Sequence, residues 1–171
     1  MVICPGDYAI LPFEVLVEYG QEYYFSYASM VLPSNDAFIA NGNPTANMVF
    51  DSFGKLTKVL IEDFGSDVLD AGTEVNDEFP ANTAFFGQMT PDTGDDENGV
   101  VTLHPGFKAA GMGGILDDER FRNADFTEEG YQMLEIVVME RSSKGGSKGN
   151  SKKGSKGGHS RRKTRKLRGA K

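Results

Sequence analysis

Tryptophan is absent from this sequence, cysteine occurs once, histidine twice, and no apolar run is long. Each shortage removes a class of explanation. A lone Cys4 excludes an internal disulfide and leaves the redox compartment open. His104 and His159 stand far apart, with no cysteine pair to complete a zinc shell, so a structural role is expected for His104. No stretch approaches the roughly 18 apolar residues of a membrane-crossing helix, and the reading is of a soluble chain with no membrane span. The first residues lack the basic and continuous apolar regions of a secretory signal, because Pro5, Gly6 and Asp7 interrupt them. The one Asn-x-Thr match, Asn43-Pro44-Thr45, is closed to glycosylation by its proline. Ser29, Ser34 and Thr73 lie in no nucleophile motif such as G-x-S-x-G, and nothing signals the enclosed cleft that a hydrolase built on paired carboxylates needs. The sequence is read as non-enzymatic.

Charge is missing in a segregated way. Residues 1–140 hold all 25 acids and only five bases, whereas residues 141–171 hold thirteen bases and no acid. The net charge of −7 therefore conceals a body near −20 and a tail near +13.

What the body does contain is aromatic residues and turn formers. Twelve Phe, six Tyr, 21 Gly and seven Pro in 171 residues predict a loop-rich, aromatic-cored chain, long enough for one domain and a tail. Residues 12–18 (PFEVLVE) alternate apolar and polar, with Phe13, Val15 and Val17 on one face, which predicts a first strand. Residues 23–32 (YYFSYASMVL) predict a second strand with both faces open to burial. Pro33-Ser34-Asn35-Asp36 breaks it, and Ala37–Ala40 resumes an apolar run. Val59, Leu60, Ile61 and Phe64 mark an element of undefined type, Val68 and Leu69 lead into Asp70, and short strands are expected at 100–103 and 131–140. Short strands separated by Gly, Pro and Asx turns, without an amphipathic helix, predict an all-β antiparallel β-sandwich over residues 1–140 and a disordered basic tail over 141–171.

The stretch that most looks like a site is Asp70-Ala71-Gly72-Thr73-Glu74-Val75-Asn76-Asp77-Glu78. Four carboxylates surround a small-residue turn, and Asp70 and Glu74 can aim oxygens at one point, as a hard cation such as Ca²⁺ requires. The competing reading is a solvated acidic loop capped by its own amides through Asx turns. Asn76 and Asp77 are second-rank ligands, and Asp77 equally suits pairing with Lys108 or Arg120. A second acidic run, Asp92 to Gly99, does not have the spacing of a helix-flanked calcium loop and reads as a solvated turn.

Four segments, FSYASMVLPSNDAFIA at 25–40, LDAGTEVNDE at 69–78, VTLHPGF at 101–107 and LEIVVME at 134–140, resemble the spondin domain family in order and spacing. The resemblance covers roughly residues 5–140. It implies a β-sandwich of secreted or matrix-associated proteins, with an apical loop cluster that binds a cation, thought to be Ca²⁺, and a part in adhesion. Carried onto this chain, the implied metal residues are Asp36, from the Pro-Ser-x-Asp turn, with Asp70 and Glu74 from the Asp-Ala-Gly-Thr-acid motif. Glu74 stands where the animal proteins usually have the shorter Asp. The resemblance also implies that further sequence, including one early strand and any export signal, precedes the first residue given. The implied location is extracellular or at the cell surface, and the implied partner a matrix or cell-surface protein or glycan.

The tail repeats Ser-Lys-Gly units from Ser142 to Gly158 and ends in RRKTRKLR at 161–168. With no aromatic residue to stack on bases, sequence-specific reading of nucleic acid is not expected, whereas salt-dependent binding of polyanions follows from charge alone. Sulfated polysaccharide, phosphorylated or silicic surfaces, and the acidic body itself all fit. The Ser/Lys/Gly texture resembles silica-associated peptides, and the last cluster also has the composition of a nuclear localisation signal. Two readings follow: a calcium-bearing adhesion module, or a polyanion-binding protein that acts through its tail and carries a metal-free sandwich.

Overall fold

The computed structural model describes residues 1–141 and the backbone of 164–167. The remaining tail residues, and the disorder expected of them, lie outside the described residues. Ten strands are formed among the described residues: β1 (Phe13–Leu16), β2 (Tyr23–Tyr24), β3 (Ala28–Met30), β4 (Ala37–Ala40), β5 (Met48–Phe50), β6 (Val59–Phe64), β7 (Leu69–Asp70), β8 (Thr102–Leu103), β9 (Gln132–Val138) and β10 (Thr164–Leu167). Two short 3₁₀ turns, Gly65–Asp67 and Ile115–Asp117, are the only helical pieces among the described residues. The chain is all-β. Four small sheets pair β1 with β10, β2 with β5, β6 with β9, and β3-β4-β7-β8 in that order; the β1–β10, β2–β5, β3–β4, β4–β7 and β7–β8 pairings are antiparallel.

The chain divides into two compact units. One comprises Met1–Phe25, Thr45–Leu60 and Ile136–Lys171 and contains β1, β2, β5 and β10. Its buried residues include Val49, Phe50, Val59 and Val138. Tyr23 meets Phe50 edge-on at 6.3 Å, and Phe13 stacks on Phe25 at 6.4 Å. The alternation expected around β1 holds in part: Val15 and Val17 are half-buried between exposed neighbours, whereas Phe13 is exposed.

The second unit, Ser26–Pro44 and Ile61–Glu135, carries the four-stranded sheet. Its core is Ala37, Ile39, Val68 and Phe126, ringed by Val31, Phe107, Tyr131, Met133 and Leu134. β4 has the bounds expected of it, and its alternating Ala37 and Ile39 supply the inward face.

Pairing corrects one expectation and gives an undefined element its type. Residues 23–32 are not one strand: Phe25 donates to Asn47 O at 2.8 Å, whereas Tyr27 donates to Asn41 Oδ1 at 2.8 Å. The backbone changes partner between them, and Ala28–Met30 is exposed rather than buried on both faces. The undefined element at 59–64 is a strand, with Val59, Ile61 and Asp63 inward and Leu60, Glu62 and Phe64 outward. A carboxylate thus occupies a core-facing position, where Asp63 Oδ1 accepts the Tyr27 hydroxyl at 2.7 Å and Oδ2 has no partner.

Candidate metal centre

The turn that ends in Asp36 is held by its own side chains. Leu32–Pro33 is a cis peptide, and Ser34 Oγ donates to Val31 O at 2.5 Å and accepts the Ala37 amide at 3.1 Å. Asn35 reaches outward: Oδ1 accepts the Glu78 amide and the Thr83 hydroxyl, both at 3.4 Å, and Nδ2 donates to Asp77 Oδ1 at 3.3 Å. The turn therefore grips the 70–83 segment through its middle residue. β4 then pairs antiparallel with β7, setting Ala37 opposite Asp70, which brings the Asp36 turn and the segment after Asp70 together at one end of the ladder.

Asp36 is buried, with 9% of its surface exposed, and its two oxygens are unequal. Oδ2 accepts the Thr73 amide at 2.7 Å, the Thr73 hydroxyl at 2.7 Å and the Glu74 amide at 3.0 Å. Oδ1 is buried and has no partner. Asp70, also buried, closes an Asx turn through Oδ1 to the Gly72 amide at 2.7 Å, and Oδ2 accepts Asn76 Nδ2 at 2.5 Å. Asn76 is thus an orienting donor to Asp70. Gly72 is required twice over: its φ is +67°, and a Cβ there would lie 2.8 Å from both N and O of Val100.

That close approach belongs to a pairing not anticipated from sequence. The acidic run 92–99 is largely exposed, as expected of a solvated turn, and it also lies along the motif, with Val75 donating to Asp95 O at 2.8 Å, Glu97 to Thr73 O at 3.1 Å and Gly99 to Gly72 O at 2.8 Å. Glu74 bridges Asp96, and its carboxylate packs so closely on Gly94 that a Cβ there would come within 2.7 Å of Oε2. Burial first, and then the fields of Asp36, Asp92, Asp77 and Asp96, raise the Glu74 carboxyl above its ordinary value. Residues 59–107 contain eleven acids and no Lys or Arg, so no base within this segment offsets these charges.

The remaining candidates fall into structural roles. Lys108 Nζ donates to the Asp77 carbonyl at 2.6 Å rather than to its carboxylate, and Arg120 pairs with Asp118 at 2.8 Å. The Asp77 carboxylate accepts the Phe79 amide and Asn82 Nδ2 in addition to Asn35. Glu78, 4% exposed, is a buried clamp: Oε1 accepts the Lys108 amide at 2.6 Å and Oε2 the Ile115 amide at 2.8 Å. His104 Nδ1 accepts the Gly106 amide at 3.0 Å, and its ring meets Phe107 and Phe126 edge-on at 5.9 and 5.4 Å. Burial lowers its pKa, although the fields of Asp70, Asp36 and Glu78 oppose that shift. A hollow of about 340 Å³ lies beside His104, lined by Phe64, Ser66, Leu103, Thr127 and Glu128 among others; the three candidate carboxylates are not among its walls.

Asp36, Asp70 and Glu74 are therefore neighbours on two linked loops. Among the described residues no three His, Cys, Asp or Glu side chains stand as a ready-made metal cluster. The three side chains offer oxygen atoms only, and one of these, Asp36 Oδ1, is buried without a partner. Asp92 and Asp96, whose charges act on Glu74, were not connected with it in the sequence reading; their acidic run is a signal only once its pairing is known. No protein-family model, curated protein or solved structure matches the chain.

Proposed function

We propose that the chain is a non-enzymatic, extracellular or surface-associated binding module, a spondin-like β-sandwich whose loop cluster takes up one Ca²⁺ through Asp36, Asp70 and Glu74. The observation that carries this reading is Asp36 Oδ1, a buried carboxylate oxygen with no hydrogen-bond partner, beside a Glu74 whose pKa is raised in part by neighbouring acids. A buried carboxylate oxygen without a partner is costly, and a bound cation relieves that cost. Asp36, Asp70 and Glu74 would hold the ion, which would offset most of their combined negative charge. Thr73 and Glu74 hold Asp36 in place through their amides, Asn76 and Gly72 orient Asp70, and the 92–99 run stiffens the backbone that carries Glu74. The result is a rigid loop rim for a matrix or cell-surface protein or glycan.

Calorimetry tests this directly. Millimolar Ca²⁺ raises the melting temperature of the full chain, and Asp36→Asn and Asp70→Asn each abolish the rise. No rise, or an equal rise in the variants, overturns the metal reading.

A second reading is favoured by one feature of the tail, thirteen bases without an acid from residue 141 onward. On that reading the protein binds sulfated glycan, silica or nucleic acid non-specifically through its tail. Retention on heparin or silica that survives deletion of residues 142–171 rules the tail out as the anchor.

A further inference from the structure

We propose that β1 is the docking strand for the basic tail, and that an anionic polymer competes with β1 for the same tail residues, so that polyanion capture uncovers the β1 edge. The inference rests on the polyanion reading of the tail for its ligand, and on the β1–β10 pairing for its mechanism.

The pairing joins the two ends of the chain. β10 lies antiparallel to β1 over four consecutive positions, Phe13 opposite Leu167, Glu14 opposite Lys166, Val15 opposite Arg165 and Leu16 opposite Thr164. These strands form a sheet of their own. The sequences are complementary: residues 11–18 (LPFEVLVE) carry two acids and no base, and residues 161–168 (RRKTRKLR) carry six bases and no acid. The register sets an acid opposite a base at Glu14 and Lys166, and an apolar residue opposite another at Phe13 and Leu167. Opposite charges at directly paired positions of an antiparallel ladder are mutually favourable.

Without its partner, β1 would be an edge of the kind that recruits other chains. Leu11 is 65% exposed and Leu16 58%, so unpaired backbone would stand beside uncovered apolar side chains. The tail covers that edge from within the same molecule.

The same facts make the cover weak. A two-stranded ladder of four positions is only marginally stable in water. Polyanions bind Lys and Arg clusters with release of counterions, a large gain at low salt. While β10 lies on β1, Glu14 stands at the register position opposite Lys166, and its negative charge opposes an incoming anion there. Docking and polyanion binding therefore weaken each other by one common factor.

Hydrogen exchange on the full chain, with heparin as the probe at constant ionic strength, reads both halves. The β1 amides of residues 13–16 are expected to be protected in the free protein. They should lose that protection at saturating heparin, and equally in a chain lacking residues 161–171. Val15→Pro, which disrupts the extended pairing without changing charge, is expected to bind heparin about 5-fold more tightly. The proposal is overturned if β1 protection is the same with and without residues 161–171, since β10 then does not dock. It is also overturned if heparin saturates the protein while β1 protection is unchanged, or if protection disappears on dilution, which would assign the docked strand to a second copy. Absence of heparin binding defeats the polyanion reading and the competition with it, and the truncation still reports separately whether β10 docks.

Discussion

Asp36 and Thr73 are tied by one oxygen: Asp36 Oδ2 accepts both the amide and the hydroxyl of Thr73, each at 2.7 Å, while Oδ1 of the same carboxylate is buried without a partner. The Glu74 amide adds a third donor to Oδ2 at 3.0 Å. One side chain thus joins two acidic loops and keeps an oxygen in reserve.

Truncating that link is expected to be the most damaging change at the site. Asp36→Ala leaves two amides and a hydroxyl unsatisfied and should cost roughly 3 kcal/mol in urea unfolding. Asp36→Asn retains a carbonyl oxygen for the same donors and should cost about 1–2 kcal/mol less than the alanine variant.

Gly72→Ala should loosen the acidic run from the motif. Its φ of +67° and the 2.8 Å approach of a Cβ to Val100 add strain to steric overlap, for a loss on the order of 1–3 kcal/mol. Exchange of the Glu97 and Gly99 amides, which bond to Thr73 and Gly72, should accelerate. Gly111→Ala is the control, since a Cβ there meets nothing within 4 Å and only its φ of +90° opposes the change.

Tyr27→Phe removes the hydroxyl that satisfies Asp63 Oδ1. Asp63 is buried, and its other oxygen already lacks a partner, so the variant should lose about 1–3 kcal/mol, more than a typical surface hydroxyl deletion. In the native protein burial and the Asp63 hydrogen bond push the Tyr27 phenol well above its ordinary value, and spectroscopic titration should find no tyrosinate at this position until the chain unfolds.

Acidification should destabilise the second unit through His104. Its folded pKa lies below the ordinary 6.5 because burial disfavours the imidazolium. The unfolded chain therefore takes up the proton first, and the stability this group contributes is present above pH 6.5 and is lost as the pH falls through the folded value. Protonation also abolishes acceptance of the Gly106 amide by Nδ1. Melting temperatures between pH 7.5 and 5.5 should fall more steeply in the native chain than in His104→Gln.

The elements legible from sequence are those whose pattern is local. Ala37–Ala40 between Asx and Pro turns, the alternation around Phe13–Leu16 and the apolar run at 132–138 each declare a strand, because side chains alternate across the pleat whatever lies beside them. The charge division between body and tail, and the chemistry of Asp36, Asp70 and Glu74 as hard oxygen donors, are likewise written in residue types alone.

Only the tertiary structure decided which of those residues meet. The break at residues 25–27 arises because the backbone changes partner there, and no periodicity encodes a change of partner. The run 92–99 has the composition of a solvated turn and is largely exposed as one, yet its amides and carbonyls pair with those of 72–75. Glu78 looks like one acid among four, yet it is a buried clamp on the Lys108 and Ile115 amides, and the basic stretch at 164–167 is a strand because β1 offers it an edge. Backbone hydrogen bonds between distant segments depend on where the chain brings them, not on their own side-chain pattern. The identity of the acids was therefore set by sequence, and the inequality of Asp36's two oxygens by the fold.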